Sequence, residues 1–162
     1  IMRGIVKLTK ELEAQVVCPG KYIALITGEL SAVRSAVDAA KSMSEEQFID
    51  SFVLGNPHES IFPAIYGTTQ VQNISALGVL ETFDAASIIV AADEAAKTAI
   101  VDLIELRIAK GMCGKSYLYL TGEVAAVQSA IDRAKSVVAD KGMYLDSSVI
   151  AHPDEQICKS IL

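Results

Sequence analysis

Tryptophan is missing from this sequence of 162 residues, and cysteine and histidine are scarce, with three and two residues. The three cysteines, Cys18, Cys113 and Cys158, show none of the short spacings of a zinc site, and their odd number argues against a closed set of disulfides. His58 and His152 each lie beside a proline, without an acid or nucleophile spaced to act as a catalytic partner. We therefore expect a protein of a reducing cytoplasm, in which both histidines have structural or interface roles.

Long hydrophobic runs and clustered positive charge are also missing. The longest apolar stretch, residues 85–92, is interrupted by Ser87 and is far shorter than the roughly 20 residues that a membrane span requires. The net charge is −6, and no basic stripe is present that could bind a phosphate backbone. Near Ile1 no charged segment precedes an apolar one, so no signal peptide is expected. We expect neither a membrane nor nucleic acid as a partner.

What the sequence does contain is an internal repeat. Residues 18–42 align with residues 112–136 without a gap, at an offset of 94, and 13 of the 25 positions are identical. After a loop the offset becomes 96, and Pro57 then aligns with Pro153. Such a repeat predicts two copies of one structural unit.

The repeat also predicts the domain boundaries. We expect a first domain at residues 1–66, a linker at 67–75 and a second domain at 76–162. Nothing in the first copy corresponds to residues 75–94 of the second, so the first domain is expected to be incomplete at its N-terminus. This would leave a sheet edge unpaired, which proteins normally avoid.

Hydrophobic periodicity predicts the fold class of the repeated unit. The second copy alternates segments typical of strands and of helices, in the order strand, helix, strand, strand, helix, strand: 77–82, 85–99, 101–111, 117–120, 124–138 and 148–151. A short terminal helix follows Pro153. This order is that of the split βαβ, ferredoxin-like fold, an antiparallel sheet with helices on one face. We therefore predict an α+β protein with two such domains in tandem.

Several motifs of the second copy resemble the bacterial microcompartment (BMC) shell domain. They are the segment at residues 76–82, the triplet Ala91-Ala92-Asp93 followed by Lys97 on an alanine-rich helix, and the segment at 121–127 after a glycine-containing loop. The resemblance covers residues 76–162 and most of the first copy. It implies two tandem BMC domains, a location in the shell of a bacterial microcompartment within the cytoplasm, and a structural protein rather than an enzyme. It also implies that Lys97 makes a tile-edge contact.

Residues 17–21, 56–60 and 63–65 further resemble the tandem, T-type shell proteins of propanediol-utilisation compartments. That family forms trimers that imitate hexagonal tiles, and its first domain carries a pore-loop cysteine that holds a 4Fe-4S cluster. The resemblance thus implies a homotrimer, contacts with other shell proteins at tile edges, and an encapsulated redox enzyme as a candidate partner. The matching metal ligand is Cys18. The implied pore loops contain Pro19, Gly20, Lys21, Met112, Cys113 and Gly114.

Thiolate chemistry sets a condition on the cluster. One cysteine per chain cannot hold four irons, but three copies of Cys18 on a threefold axis supply three ligands for one cluster per trimer. The fourth iron would lack a Cys18 ligand. Judged on its residue type alone, Cys18 is an ordinary small residue in a loop. We expect Cys113 to lie near the pore without being a ligand, and Cys158, in an apolar terminal helix, to be buried and inert.

The sequence departs from the family pattern at two positions, and it leaves two alternative functions open. Cys113 aligns with Pro19 where the family pattern favours glycine, and His152 stands where single-domain relatives usually carry an arginine that helps tile edges pack. One alternative is a shell pore for metabolites that holds no metal. The other is a soluble trimeric ferredoxin-like regulator that binds a ligand between subunits, for which the tandem repeat alone would serve equally.

Overall fold

The first compact unit of the chain is built on a β-hairpin followed by a helix. A computed structural model describes residues 11–44 and 46–162, and contacts divide the chain into two units between Asn56 and Pro57. In the first unit, strands β1 (Glu11–Cys18) and β2 (Lys21–Thr27) pair antiparallel, and helix α1 (Leu30–Met43) follows. Ala36, in the middle of α1, is fully buried. The predicted incompleteness of the first domain concerns residues outside the described ones.

Residues 50–54, which align with a strand of the second copy, are irregular in the structure. In the second copy the corresponding strand pairs with the strand at residues 76–82, but the described part of the first unit holds only β1 and β2, and neither is the counterpart of that strand. A strand needs such a neighbour because its N–H and C=O groups must find partners. The same sequence pattern therefore produces a strand in only one of the two copies.

The second unit has the predicted α+β architecture, with every strand pair antiparallel. Its strands and helices are, in chain order, α2 (Ile61–Tyr66), β3 (Ala76–Thr82), α3 (Ala85–Thr98), β4 (Val101–Arg107), β5 (Ser116–Gly122), α4 (Val124–Ala139), β6 (Tyr144–Ala151) and α5 (Glu155–Ile161). The sheet order is β4-β5-β3-β6. The split βαβ fold is thus confirmed, although β6 begins four residues earlier than predicted because Thr82 of β3 still pairs with Tyr144 across a bulge.

Small residues allow the helices of the second unit to approach the sheet closely. Asp84 directly precedes helix α3, and its carboxylate caps the helix by accepting a hydrogen bond from the Ser87 backbone N–H at 2.6 Å. The alanine side chains of α3 are largely buried, which explains its alanine-rich composition. On β3, a Cβ atom at Gly78 would lie 2.7 Å from Leu120 and 2.9 Å from Val127. Glycine is therefore required where α4 crosses β3.

A short helix follows each copy of the repeat, and only the first of these helices packs against the rest of the chain. Helix α2 contacts β4 and α3, and its Ile61 and Ala64 are buried. Helix α5 has no buried residue, and Cys158 within it is only half-buried. The prediction of a buried Cys158 was wrong, since an apolar helix sequence gives burial only where another part of the protein covers it.

Candidate pore loops and edge residues

The hairpin that carries Cys18 closes with a two-residue turn. Cys18 ends β1 and pairs with Lys21, the first residue of β2, so that Pro19 and Gly20 form the turn between them. Gly20 has φ = 79°, and nothing lies within 4 Å of where its Cβ would be. Proline followed by a glycine at positive φ meets the requirements of a type II turn. The sequence-predicted loop residues of the first unit are thus brought together at the tip of one hairpin.

A β-bulge lies immediately before Cys18. The pairing register shifts between Val16 and Cys18, and Val17 inside the bulge is buried. A bulge changes which face of a strand the following side chain points to. The Cys18 thiol is free and half-buried, while Val16 and Tyr22, which are paired across the hairpin, are 69% and 54% exposed. The tip of the first unit therefore carries a thiol beside an exposed apolar pair.

The corresponding loop of the second unit, residues 108–115, has a different construction. Buried Ser116 accepts a hydrogen bond from the Ala109 N–H at 2.9 Å, and the Met112 N–H donates to the Ala109 carbonyl at 3.2 Å. The backbone takes positive φ at several positions: Ala109, Gly111, Cys113 and Gly114. Cys113 is exposed. This loop is held by its own hydrogen bonds rather than by strand pairing.

Strand register shows that the two loops differ in length by two residues. Ala24 pairs with Ala14 in the first hairpin, and Leu118 pairs with Leu106 in the second. Leu118 lies 94 residues after Ala24, whereas Leu106 lies only 92 residues after Ala14. The second loop is therefore two residues longer. The two extra residues lie before Met112, because the Lys115 N–H donates to the Met112 carbonyl at 3.1 Å and closes a turn over Cys113 and Gly114, at the offset of 94 from the turn over Pro19 and Gly20.

Metal binding by Cys18 would require ligands from other chains. The described part of the chain holds no group of three or more His, Cys, Asp or Glu residues that could bind a metal ion. Cys18 itself is free, half-buried and placed at the open end of a turn. Its thiol is the donor that an iron–sulfur cluster uses, and it fits such a group as one ligand per chain. A complete ligand set then requires several copies of the turn to meet.

A polar and aromatic cluster lies on β4 and β5 next to the longer loop. Glu105 accepts hydrogen bonds from Arg107 at 2.7 Å and from the Tyr117 hydroxyl at 2.9 Å. The rings of Tyr117 and Tyr119 lie 4.5 Å apart. Burial, followed by the hydrogen bond and the charge of Glu105, raises the pKa of Tyr117 to about 12. Sequence analysis missed this cluster because the residues meet only through the register of two strands.

The raised pKa of Tyr117 predicts that the folded protein loses stability in strong base. A tyrosine in an unfolded chain ionises near pH 10, so a raised pKa in the folded state stabilises the protein below about pH 10, and that contribution is lost as the pH rises through about 12. We expect unfolding free energy to fall between those values, and to fall less in Tyr117→Phe. Absorbance at 295 nm should lose its step near pH 12 in Tyr117→Phe. A Tyr66→Phe control that lost that step instead would contradict the assignment.

Lys97 lies on α3 with its ammonium group bound to a buried carboxylate. Its Nζ donates to Asp93 Oδ2 at 2.6 Å, and the side chains of Lys97 and Asp93 are 41% and 3% exposed. The other oxygen of Asp93 accepts the His58 N–H at 2.7 Å. The sequence motif contains both Lys97 and Asp93, but it did not predict the ion pair between them. His152, at the end of β6, is exposed and has φ = 54°, a conformation uncommon outside glycine.

Comparison with known proteins agrees with this architecture. Residues 9–57 and 76–153 match the BMC domain family. The bacterial microcompartment shell protein PduT of Citrobacter freundii is 34% identical over 151 residues, which cover 93% of this chain and 82% of that protein. Among the described residues, no helix is long and apolar enough to cross a membrane.

Solved structures give the same result. The crystal structure of a microcompartment protein from Desulfitobacterium hafniense matches with a TM-score of 0.87 and 43% identity, over 97% of this chain and 88% of that one. The fused permuted hexameric shell protein of the RMM microcompartment matches with a TM-score of 0.57 over 86% of this chain and 75% of that one. At 23% identity, this second match shows the fold alone. Two matched segments, a related sequence over most of its length and a shared tertiary structure establish that the chain belongs to the bacterial microcompartment shell family, as a tandem protein with two BMC domains.

Proposed function

We propose that this protein is a structural tile of a microcompartment shell, and that three copies form a pseudohexamer with the Cys18 turns around a central pore. Three chains with two domains each supply six units, which fits a hexagonal outline. The observation that carries the pore assignment is the position of Cys18 at the tip of a tight Pro-Gly hairpin. The similarity to PduT supports a compartment for propanediol utilisation.

The Cys18 thiolates of the three subunits would together bind one 4Fe-4S cluster. A cluster of this kind supplies one-electron transfer, here across the shell to or from an encapsulated redox enzyme. Gly20 leaves the turn open on the side where a Cβ would stand, so the backbone can approach a bound group closely. The longer loop with Cys113 would line the same pore between the Cys18 turns. In this proposal the protein conducts electrons and is not itself an enzyme.

Iron content and electron paramagnetic resonance of anaerobically purified protein test the cluster. Wild-type protein should contain about four iron atoms per trimer and give the signal of a reduced 4Fe-4S cluster. Cys18→Ser should lose both, because the hydroxyl is a poor ligand for iron in such clusters, while the matched variants Cys113→Ser and Cys158→Ser should keep both. Full iron content in Cys18→Ser would overturn the assignment. A trimer without iron in every variant would favour the metal-free metabolite pore.

Assembly tests the tile function separately. A shell tile should form flat sheets visible by negative-stain electron microscopy, with Lys97 at the edge between neighbouring tiles. Lys97→Ala should abolish sheets while leaving the trimer intact in light scattering, whereas Lys159→Ala, which removes an exposed lysine on α5, should still form sheets. Wild-type trimers that never associate into sheets would instead favour the soluble ligand-binding regulator.

A further inference from the structure

Each copy of the repeat ends in a tail with the same pattern. The first tail is residues 57–66 and the second is residues 153–162. Four of ten positions are identical, namely Pro57 and Pro153, Glu59 and Glu155, Ile61 and Ile157, and Ile65 and Ile161. Both tails form a short helix after the proline, α2 and α5. The two tails are therefore equivalent segments that share an isoleucine at two positions.

The first tail shows how such a segment packs. It leaves the copy to which its sequence belongs and folds in the second unit, where α2 lies against β4 and α3. Ile61 is 2% exposed there, and the His58 N–H is bound by the buried carboxylate of Asp93. The first tail thus packs on the unit that follows it in the chain.

The second tail has no such partner within the described chain. No residue of α5 is buried, and Ile157, the counterpart of Ile61, is 43% exposed. Leu162 at its end is 56% exposed. Seven residues are too few to form a stable helix in water without packing. The second tail therefore presents the counterpart of buried Ile61 without a cover.

We propose that α5 docks on the first unit of a second copy of this chain, against β1, in the way that α2 docks against β4. This inference rests on the trimer of the proposed function and names one of its interfaces. By strand register β1 is the equivalent of β4, and Val16 just before its bulge is 69% exposed, whereas its counterpart Ile108 is 5% exposed. The first unit thus exposes apolar surface at a position that is covered in the second.

Such an interface is head-to-tail, because each chain offers a tail on its second unit and a receiving strand on its first. An interface of two different surfaces closes into a ring when the rotation between copies allows it. Every unit in the ring then receives one tail, half of them from their own chain and half from the neighbouring chain. No unpaired tail remains.

The oligomeric state of Ile157→Asp tests this proposal. Wild-type protein should be a trimer by light scattering, and Ile157→Asp should be a monomer with an unchanged far-ultraviolet circular dichroism spectrum, because Ile157 is not buried within its own chain. Lys159→Gln, on the exposed polar side of α5, should remain a trimer. The milder Ile157→Ser should raise the dissociation constant of the trimer at least about tenfold. A fully trimeric Ile157→Asp would overturn the docking, whereas a monomeric wild type would overturn the proposed trimer itself.

Hydrogen–deuterium exchange identifies the receiving strand. The amides of β1, Glu11–Cys18, should exchange more slowly in wild type and Lys159→Gln than in Ile157→Asp. Equal exchange of β1 in all three proteins would show that α5 docks elsewhere and would overturn the assignment of the receiving strand.

Discussion

Leu120→Ala should lower the free energy of unfolding by about 2–5 kcal/mol, as measured by urea denaturation. Leu120 is fully buried on β5, and its side chain fills the space in front of Gly78, where α4 crosses the sheet. The neighbouring backbone is held by strand pairing on both sides, so it can close the cavity only in part. Ile100→Ala, at a position 95% exposed, is the matched control and should change stability by less than about 0.5 kcal/mol.

Gly78→Ala tests the same contact from the side of β3, because its new methyl group would enter the space that the Leu120 side chain fills. Its new Cβ would stand 2.7 Å from Leu120 Cδ1, and such overpacking costs about 1–3 kcal/mol. In the double variant the truncated residue 120 leaves room for that Cβ, so the combined loss should be smaller than the sum of the two single losses. The rescue should be incomplete, because Val127 lies 2.9 Å from the same Cβ. Strict additivity would show that the two side chains do not compete for one volume.

Lys97→Met should destabilise the protein more than Asp93→Asn, although Lys97 is the more exposed of the two. Removing the ammonium leaves the Asp93 carboxylate, 3% exposed, as a buried charge without its counter-ion. We expect a loss of about 3 kcal/mol, the lower end for a broken buried pair because solvent reaches the position of Lys97. Asp93→Asn removes the charge and keeps an oxygen for the His58 N–H, so about 1–2 kcal/mol should be lost.

The double variant and an exposed ion pair provide the controls for this asymmetry. Lys97→Met combined with Asp93→Asn should be more stable than Lys97→Met alone, because no charge is then stranded. Glu94→Gln breaks the neighbouring exposed pair with Arg133 and should cost less than about 1 kcal/mol. The explanation fails if Asp93→Asn proves as destabilising as Lys97→Met in the same urea titration.

The parts of the fold that follow from local periodicity could be predicted, and those that depend on tertiary neighbours could not. The stripe that includes Val127, Ile131 and Ala134 predicted α4, and the repeat predicted two domains of one type. Residues 50–54 have a strand-like sequence, but they form no strand because the described part of the first unit has no counterpart of β3, the strand with which β6 pairs. The tail at 57–66 resembles part of the first copy, and only its packing against β4 assigns it to the second unit.

In the candidate site, too, local features could be predicted from the sequence and tertiary contacts could not. The turn at Pro19 and Gly20 could be predicted because proline fixes φ and glycine allows the positive φ that the turn requires. The partnership of Asp93 with the backbone of His58 could not, since the two residues are 35 positions apart and belong to separate motifs that nothing in the sequence connects. The two-residue difference between the hairpins was hidden for a similar reason. A sequence repeat shows where residues are identical, whereas the register of strands shows how much chain lies between them.

That difference in hairpin length has a genetic consequence. In a ring of identical single-domain subunits, one codon change alters every loop around the axis at once. Here the short turn with Cys18 and the longer loop with Cys113 are encoded separately in one reading frame, so each can change while the other is retained. Their stoichiometry is nevertheless fixed at one to one, whatever the level of expression. Gene fusion thus allows the two loops to diverge without a second protein having to be made in matching amounts.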